Sequence, residues 1–171
     1  MNLRQFAGCL VGKLGEVKGK KAFQKLVYFA QVLGIPLGKA YNMHYYGPYS
    51  QEVADEMNEL INQGFLNNIP GSYSYFLSTA TKDKLTIPKA YSAQFKELIE
   101  KFGSMSPRCL EIYATTHFID FKFKNVNGVF DQHQIIDEIK KAKSPKFSDQ
   151  EILKAYNDLE KWNLLYKKIK I

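Results

Sequence analysis

Apolar residues recur every third or fourth position in one segment after another, and glycine, proline or a capping side chain marks most of the breaks. Leu3, Phe6, Leu10, Val11 and Leu14 form one such stripe and predict a helix over residues 2–16. Ala22, Phe23, Leu26, Val27, Ala30 and Leu33 predict a second over 19–33, with Gly34 as its terminator and Pro36 blocking continuation. Ser50 is a good N-cap and Glu52 follows in the first turn, where a carboxylate favours the helix dipole. Val53, Ala54, Met57, Leu60 and Ile61 then give an amphipathic helix over 50–63 that stops at Gly64. Pro88 to Phe102, closed by Gly103, and the segment opened by Ser106-Pro107 are helical by the same spacing. Asp131-Gln132-His133-Gln134 and Ser148-Asp149-Gln150-Glu151 have the capping-box pattern and open helices over 132–142 and 149–167, with a loop at 142–146.

The β signals are few. Ala40 to Tyr46 is aromatic-rich and predicts one short strand ended by Gly47-Pro48. Phe65-Leu66 and Ser72 to Leu77, on either side of Pro70-Gly71, predict a hairpin. The fold class expected is mainly α with a small antiparallel β element. The chain of 171 residues is expected to form a single compact domain, with a winged helix-turn-helix-like part over 1–85 and a helical part over 86–171.

Hydrophobic residues make up 45% of the chain and charged residues 24%, as in an ordinary globular protein rather than a disordered or fibrous one. No run of 18 apolar residues occurs, so no membrane span is expected, and the first 17 residues lack the uninterrupted core of a signal peptide. Two cysteines, Cys9 and Cys109, far apart and without a secretory signal, argue against a disulfide framework and fit a reducing, cytoplasmic setting better.

The net charge is +7 and the pI near 9.2, but the distribution matters more than the sum. Residues 1–40 carry seven basic side chains against Glu16 alone, among them Lys20, Lys21 and Lys25. Residues 41–70 carry Glu52, Asp55, Glu56 and Glu59 and no lysine or arginine. A winged helix docks on DNA through the helix before its hairpin, and here that helix is acidic. Four carboxylates would face a duplex bearing one negative charge per roughly 1.7 Å, so docking by this face is disfavoured. The basic N-terminal helices or the hairpin lysines Lys82 and Lys84 leave another route to DNA, and a solvated lysine-rich surface accounts equally well for an excess concentrated near the N-terminus and in the last residues, Lys167, Lys168 and Lys170.

Catalytic signals are thin. His44, His117 and His133 lie in distant segments without metal-ligand spacing, and no phosphate-binding glycine loop or nucleophile elbow occurs. His117 and Asp120 make one i, i+3 pair, more simply a packing histidine. Cys109 sits in a first helical turn, where it is expected to be buried and inert. Trp162, Tyr156, Leu159 and Tyr166 are read as core. The expectation is no enzyme, no metal and no cofactor.

Two stretches resemble a known family. Lys21-Ala22-Phe23-Gln24-Lys25-Leu26-Val27-Tyr28-Phe29 resembles the K-x-x-K-L-x-Y signature of SocA-like antitoxins (the Panacea domain) and of the related YwgA-type proteins. Tyr45-Tyr46-Gly47-Pro48-Tyr49-Ser50, with the acidic helix after it, resembles that family's Y-G-P motif. Leu110-Glu111-Ile112-Tyr113-Ala114-Thr115 and Pro145-Lys146-Phe147-Ser148 are similar to the YwgA-type pattern. The resemblance implies a bacterial or archaeal intracellular protein with a winged-helix-like core, whose antitoxin members bind and neutralise a toxin protein.

The expected function is therefore a non-enzymatic protein-binding module, in its sharpest form an antitoxin for a basic toxin. Tyr45, Tyr46, Tyr49, Glu52, Asp55, Glu56 and Glu59 are its candidate partner-binding residues. The alternative is a DNA-binding transcriptional regulator using the basic surface of Lys20, Lys21 and Lys25. The oligomeric state is left open.

Overall fold

The computed structural model describes residues 1–68, 71, 74–77 and 85–166. It is mainly helical with a small antiparallel sheet. The helices are α1 (Leu3–Leu14), α2 (Gly19–Val32), α3 (Gln51–Asn62), α4 (Ser92–Phe102), α5 (Pro107–Phe121), α6 (Gln132–Lys143) and α7 (Asp149–Lys161). The strands are β1 (Val17–Lys18), β2 (Asn42–His44), β3 (Gly47–Tyr49), β4 (Leu66–Asn68) and β5 (Ser74–Leu77).

Local chemistry sets most of these boundaries. The side chains of Asn2, Ser50, Asp131 and Ser148 each accept a backbone N–H at the start of α1, α3, α6 and α7. At Ser148 the full capping box is present, Glu151 accepting the Ser148 N–H at 2.8 Å. The Cys109 N–H donates to Ser106 Oγ at 3.1 Å, so the Ser106-Pro107 start of α5 is capped as expected. α3 ends where Gly64 turns into the left-handed region at φ +68°, a conformation that costs little only without a Cβ. α7 stops at Lys161 rather than running to 167, because Asn163 takes φ +58° and breaks the helical path. α5 runs on past Phe118, and a π turn over Lys122–Val126 follows it.

Contacts divide the chain into two compact units, Met1–Asn42 with Tyr49–Leu110, and Met43–Pro48 with the chain from Glu111 onward. α4, read from sequence with the helical part over 86–171, belongs to the first unit.

In the first unit, α1, α2, α3 and α4 bury Phe6, Leu10, Phe23, Leu26, Phe29, Val53, Met57, Leu98 and Phe102. Phe29 stacks on Phe102 with ring centres 3.9 Å apart. β4 and β5 form the predicted hairpin with Leu66 opposite Leu77 and Asn68 opposite Tyr75. Pro70, Ser72 and Tyr73, included in that hairpin from sequence, lie outside the described residues, as do Lys82 and Lys84. A third strand, β1, pairs antiparallel with β5, Val17 opposite Tyr75. Two residues are too short to carry an alternation pattern, so β1 is silent in the sequence.

β2 and β3 make a separate two-stranded ribbon. Gly47-Pro48, read as the end of a strand, instead begins the second one. The chain turns at Tyr45-Tyr46 and Gly47 leaves that turn at φ +86°.

In the second unit, α6 packs on α7 around Ile135, Ile139, Ile152, Ala155, Tyr156 and Leu159. Tyr156 and Leu159 are core as expected, whereas Trp162 and Tyr166 are only half-buried. No helix among the described residues is long and apolar enough to cross a membrane.

Candidate functional site

The second unit holds a buried polar cluster drawn from α5, α6 and the segment after α6. Glu111, one turn into α5, is completely buried, and so is Lys143 at the last position of α6 apart from 4% of its surface. Lys143 Nζ donates to Glu111 Oε1 at 3.0 Å and to the backbone carbonyl of Tyr45 at 2.8 Å. Lys146 Nζ donates to both oxygens of the same carboxylate, each at 2.8 Å. It also lies 4.7 Å from the centre of the Tyr46 ring, within cation–π range. A carboxylate in a dry interior needs opposite charge and saturated lone pairs, and two ammonium groups supply both.

Above this cluster the ribbon turn is displayed to solvent. Tyr45 is 74% exposed and Tyr46 50%, their rings meeting edge to face at 4.9 Å. Met43 and His44 beside them are exposed as well. The arrangement is a short run of large side chains on a turn whose backbone carbonyl and one ring are held from beneath. Three of the stretches that carry the family resemblance meet here: Tyr45-Tyr46, Glu111 and Lys146.

The acidic helix belongs to the first unit. Glu52, Asp55 and Glu59 are exposed on α3, with Asp55 accepting from Gln51 Nε2 at 2.8 Å. Glu56 departs from the expectation of an available carboxylate: it is half-buried and ion-paired with Lys39. Tyr49 is half-buried rather than displayed. Its neighbour Ser50 is clamped by Gln24, whose amide donates to the Ser50 carbonyl at 2.8 Å and accepts the Ser50 N–H at 3.1 Å. That buried amide sets where α3 begins.

The basic surface requires a larger correction. Lys20 is exposed and donates to Asn58 Oδ1 of α3 at 3.3 Å, and Lys21 is half-buried. Lys25 is only 1% exposed and is one of the largest fully buried side chains. α2 is buried around most of its circumference from Ala22 to Ala30, so a residue one turn from a surface lysine is not itself on the surface. Tyr28 of the same motif is also buried, edge-on to Tyr41 at 5.1 Å. Burial pushes the Tyr41 hydroxyl pKa up, and that hydroxyl donates to the Gln24 carbonyl at 3.0 Å. Lys167, Lys168 and Lys170 lie outside the described residues.

Other titratable groups have structural partners. Asp120 is buried, ion-paired with Lys124 at 2.6 Å, and accepts from the Tyr156 hydroxyl at 3.3 Å and the Tyr166 N–H at 3.1 Å. Desolvation outweighs these partners and raises its pKa. His117 is buried and stacked on Phe121, and desolvation lowers its pKa to about 4 against a backbone hydrogen bond at Leu164 that opposes the shift. Cys109, expected to be buried, is half-buried, while Cys9 is buried with its thiol pKa raised by desolvation. No group of three or more His, Cys, Asp or Glu positioned to hold a metal occurs among the described residues.

Glu111, Lys143 and Lys146 were not candidate site residues from sequence. A signal was present: Glu111 is the one carboxylate in the apolar and aromatic run from Cys109 to Ile119. Such a residue is buried with a partner or it breaks the helix face.

Fold and site together define a mainly helical protein with a small antiparallel sheet and an aromatic turn seated on a buried charge cluster. No protein-family model matches the sequence. Over 112 residues the chain is 32% identical to the uncharacterised protein YwgA of Bacillus subtilis (strain 168), covering 62% of this chain and 68% of that protein. The chain belongs to the YwgA family.

Proposed function

We propose that the chain is a non-enzymatic protein-binding module whose primary contact is the Tyr45–Tyr46 turn. One observation carries this reading: two adjacent tyrosines at 74% and 50% exposure stand on a turn whose backbone is tied to a buried lysine. Tyrosines of this kind supply large contact area at low entropic cost and are enriched among residues that dominate binding energy. The exposed carboxylates Glu52, Asp55 and Glu59 of α3 favour a partner with basic surface, which fits the antitoxin form of the proposal. The order of α3 followed by the β4–β5 hairpin supports a winged-helix-like arrangement of residues 1–85. The regulator reading loses Lys25 from its proposed surface, because that side chain is buried.

The test is capture from the native host with the tagged full-length chain, with and without nuclease. Replacing both Tyr45 and Tyr46 by alanine is expected to release a nuclease-resistant protein partner, and Glu52→Lys with Asp55→Lys to weaken its binding. Capture that disappears with nuclease, and that weakens steeply between roughly 50 and 200 mM salt, would replace this reading by DNA binding.

A further inference from the structure

We propose that Glu111, Lys143 and Lys146 are positioning residues for the Tyr45–Tyr46 turn, an inference that rests on reading this turn as the binding surface. The three charged groups come from the start of α5, the end of α6 and the segment just after it, and each has a separate task. Lys143 holds the turn by its backbone, at the Tyr45 carbonyl, 2.8 Å away. Lys146 holds it by a side chain, at the face of the Tyr46 ring, 4.7 Å away. Glu111 holds both lysines, with contacts of 3.0 Å to Lys143 and 2.8 Å to Lys146.

Burial explains why the arrangement is stiff. The carboxylate and the Lys143 ammonium have almost no exposure, so neither trades its partner for water without a desolvation penalty. The ribbon itself has two strands of three residues each, too small to be stable alone. Its conformation must come from what it is fastened to, and these two lysines fasten its turn within the second unit. Each ammonium is committed to Glu111 and to the turn rather than offered to a ligand.

The experiment is hydrogen–deuterium exchange of the full chain, followed in the peptide spanning residues 42–49 and in α7 as an internal reference. Lys146→Met keeps the length of the side chain and removes its charge. It is expected to raise exchange in the ribbon by about tenfold or more while the middle of α7 stays protected. Lys146→Arg, which can still grip a carboxylate and stack on a ring, is expected to restore the protection. Ribbon exchange unchanged in Lys146→Met would overturn the proposal, and so would loosening of ribbon and α7 together, which marks general destabilisation. The binding reading is judged separately. If the ribbon loosens as expected but Tyr45→Ala with Tyr46→Ala leaves protein capture intact, the positioning role stands and the turn is not the binding surface.

Discussion

Glu111 and Asp120 stand nine positions apart on α5, and both carboxylates are fully buried, yet they serve different ends. Glu111 is met by two lysines, one at the end of α6 and one in the segment just after it, and through them its influence reaches the ribbon turn. Asp120 is met by one lysine on its own helical path, a tyrosine hydroxyl and the backbone of Tyr166, which pin the chain following α7. The first cluster gathers charge from three segments and displays a surface. The second leaves desolvation dominant and closes a core. Burial of a carboxylate therefore says that partners exist, and only the identity of the partners says what the burial is for.

The comparison breaks most visibly at Glu111. Glu111→Ala leaves two ammonium groups around an empty site, and the expected loss is about 3–5 kcal/mol in urea unfolding, with the ribbon turn released. The next effect is carried by pH through His117. Its folded pKa of about 4 lies below the ordinary histidine value of 6.5, so the unfolded chain binds more protons in that window. His117 thus contributes stability present above pH 6.5 and lost as pH falls toward about 4, on the order of 3 kcal/mol for a depression of this size. Unfolding of His117→Gln measured across that range is expected to show a shallower loss.

Asp120 has the opposite sign. Its folded pKa is raised, so the folded chain is the one that holds the extra proton. Its own contribution therefore improves as pH falls through the folded pKa toward the unfolded one. Asp120→Asn is expected to remove that slope and to leave stability at neutral pH unchanged within about 1 kcal/mol, because the weaker partner for Lys124 is offset by relief of the carboxylate's desolvation. An identical pH response in Asp120→Asn and the wild type would show that Asp120 contributes no pH-dependent stability. The smallest effect sharpens the comparison between these two sites. The hydroxyl oxygens of Thr115 and Thr116 are buried without a hydrogen-bond partner among the described residues. Thr116→Val, similar in shape, is expected to be neutral or to add up to about 1 kcal/mol in thermal unfolding.

Particular residues show how far the sequence could be read. The caps at Ser50, Asp131 and Ser148 were legible because a side chain and an amide three residues on are near one another in any chain that starts a helix there. The exposure of Glu52, Asp55 and Glu59 followed from helical spacing in the same way. Lys25 did not follow, because spacing gives the angle around a helix but not how much of the circumference is covered. The pairing of Glu56 with Lys39 and the extra strand β1 were hidden for a related reason. Each depends on what packs alongside.

What the amino-acid sequence determined by itself is local: seven helices, their starts and most of their ends, the hairpin, and the acidic face of α3. These rest on interactions between residues three or four apart, whose geometry the helix repeat supplies. The tertiary structure decided the rest. It seated Tyr45 and Tyr46 on a charge cluster whose members are separated by 98 residues from Tyr45 to Lys143 and by 35 from Glu111 to Lys146. No local pattern encodes such meetings, because they exist only once the helices are packed and water has been removed from around the charges.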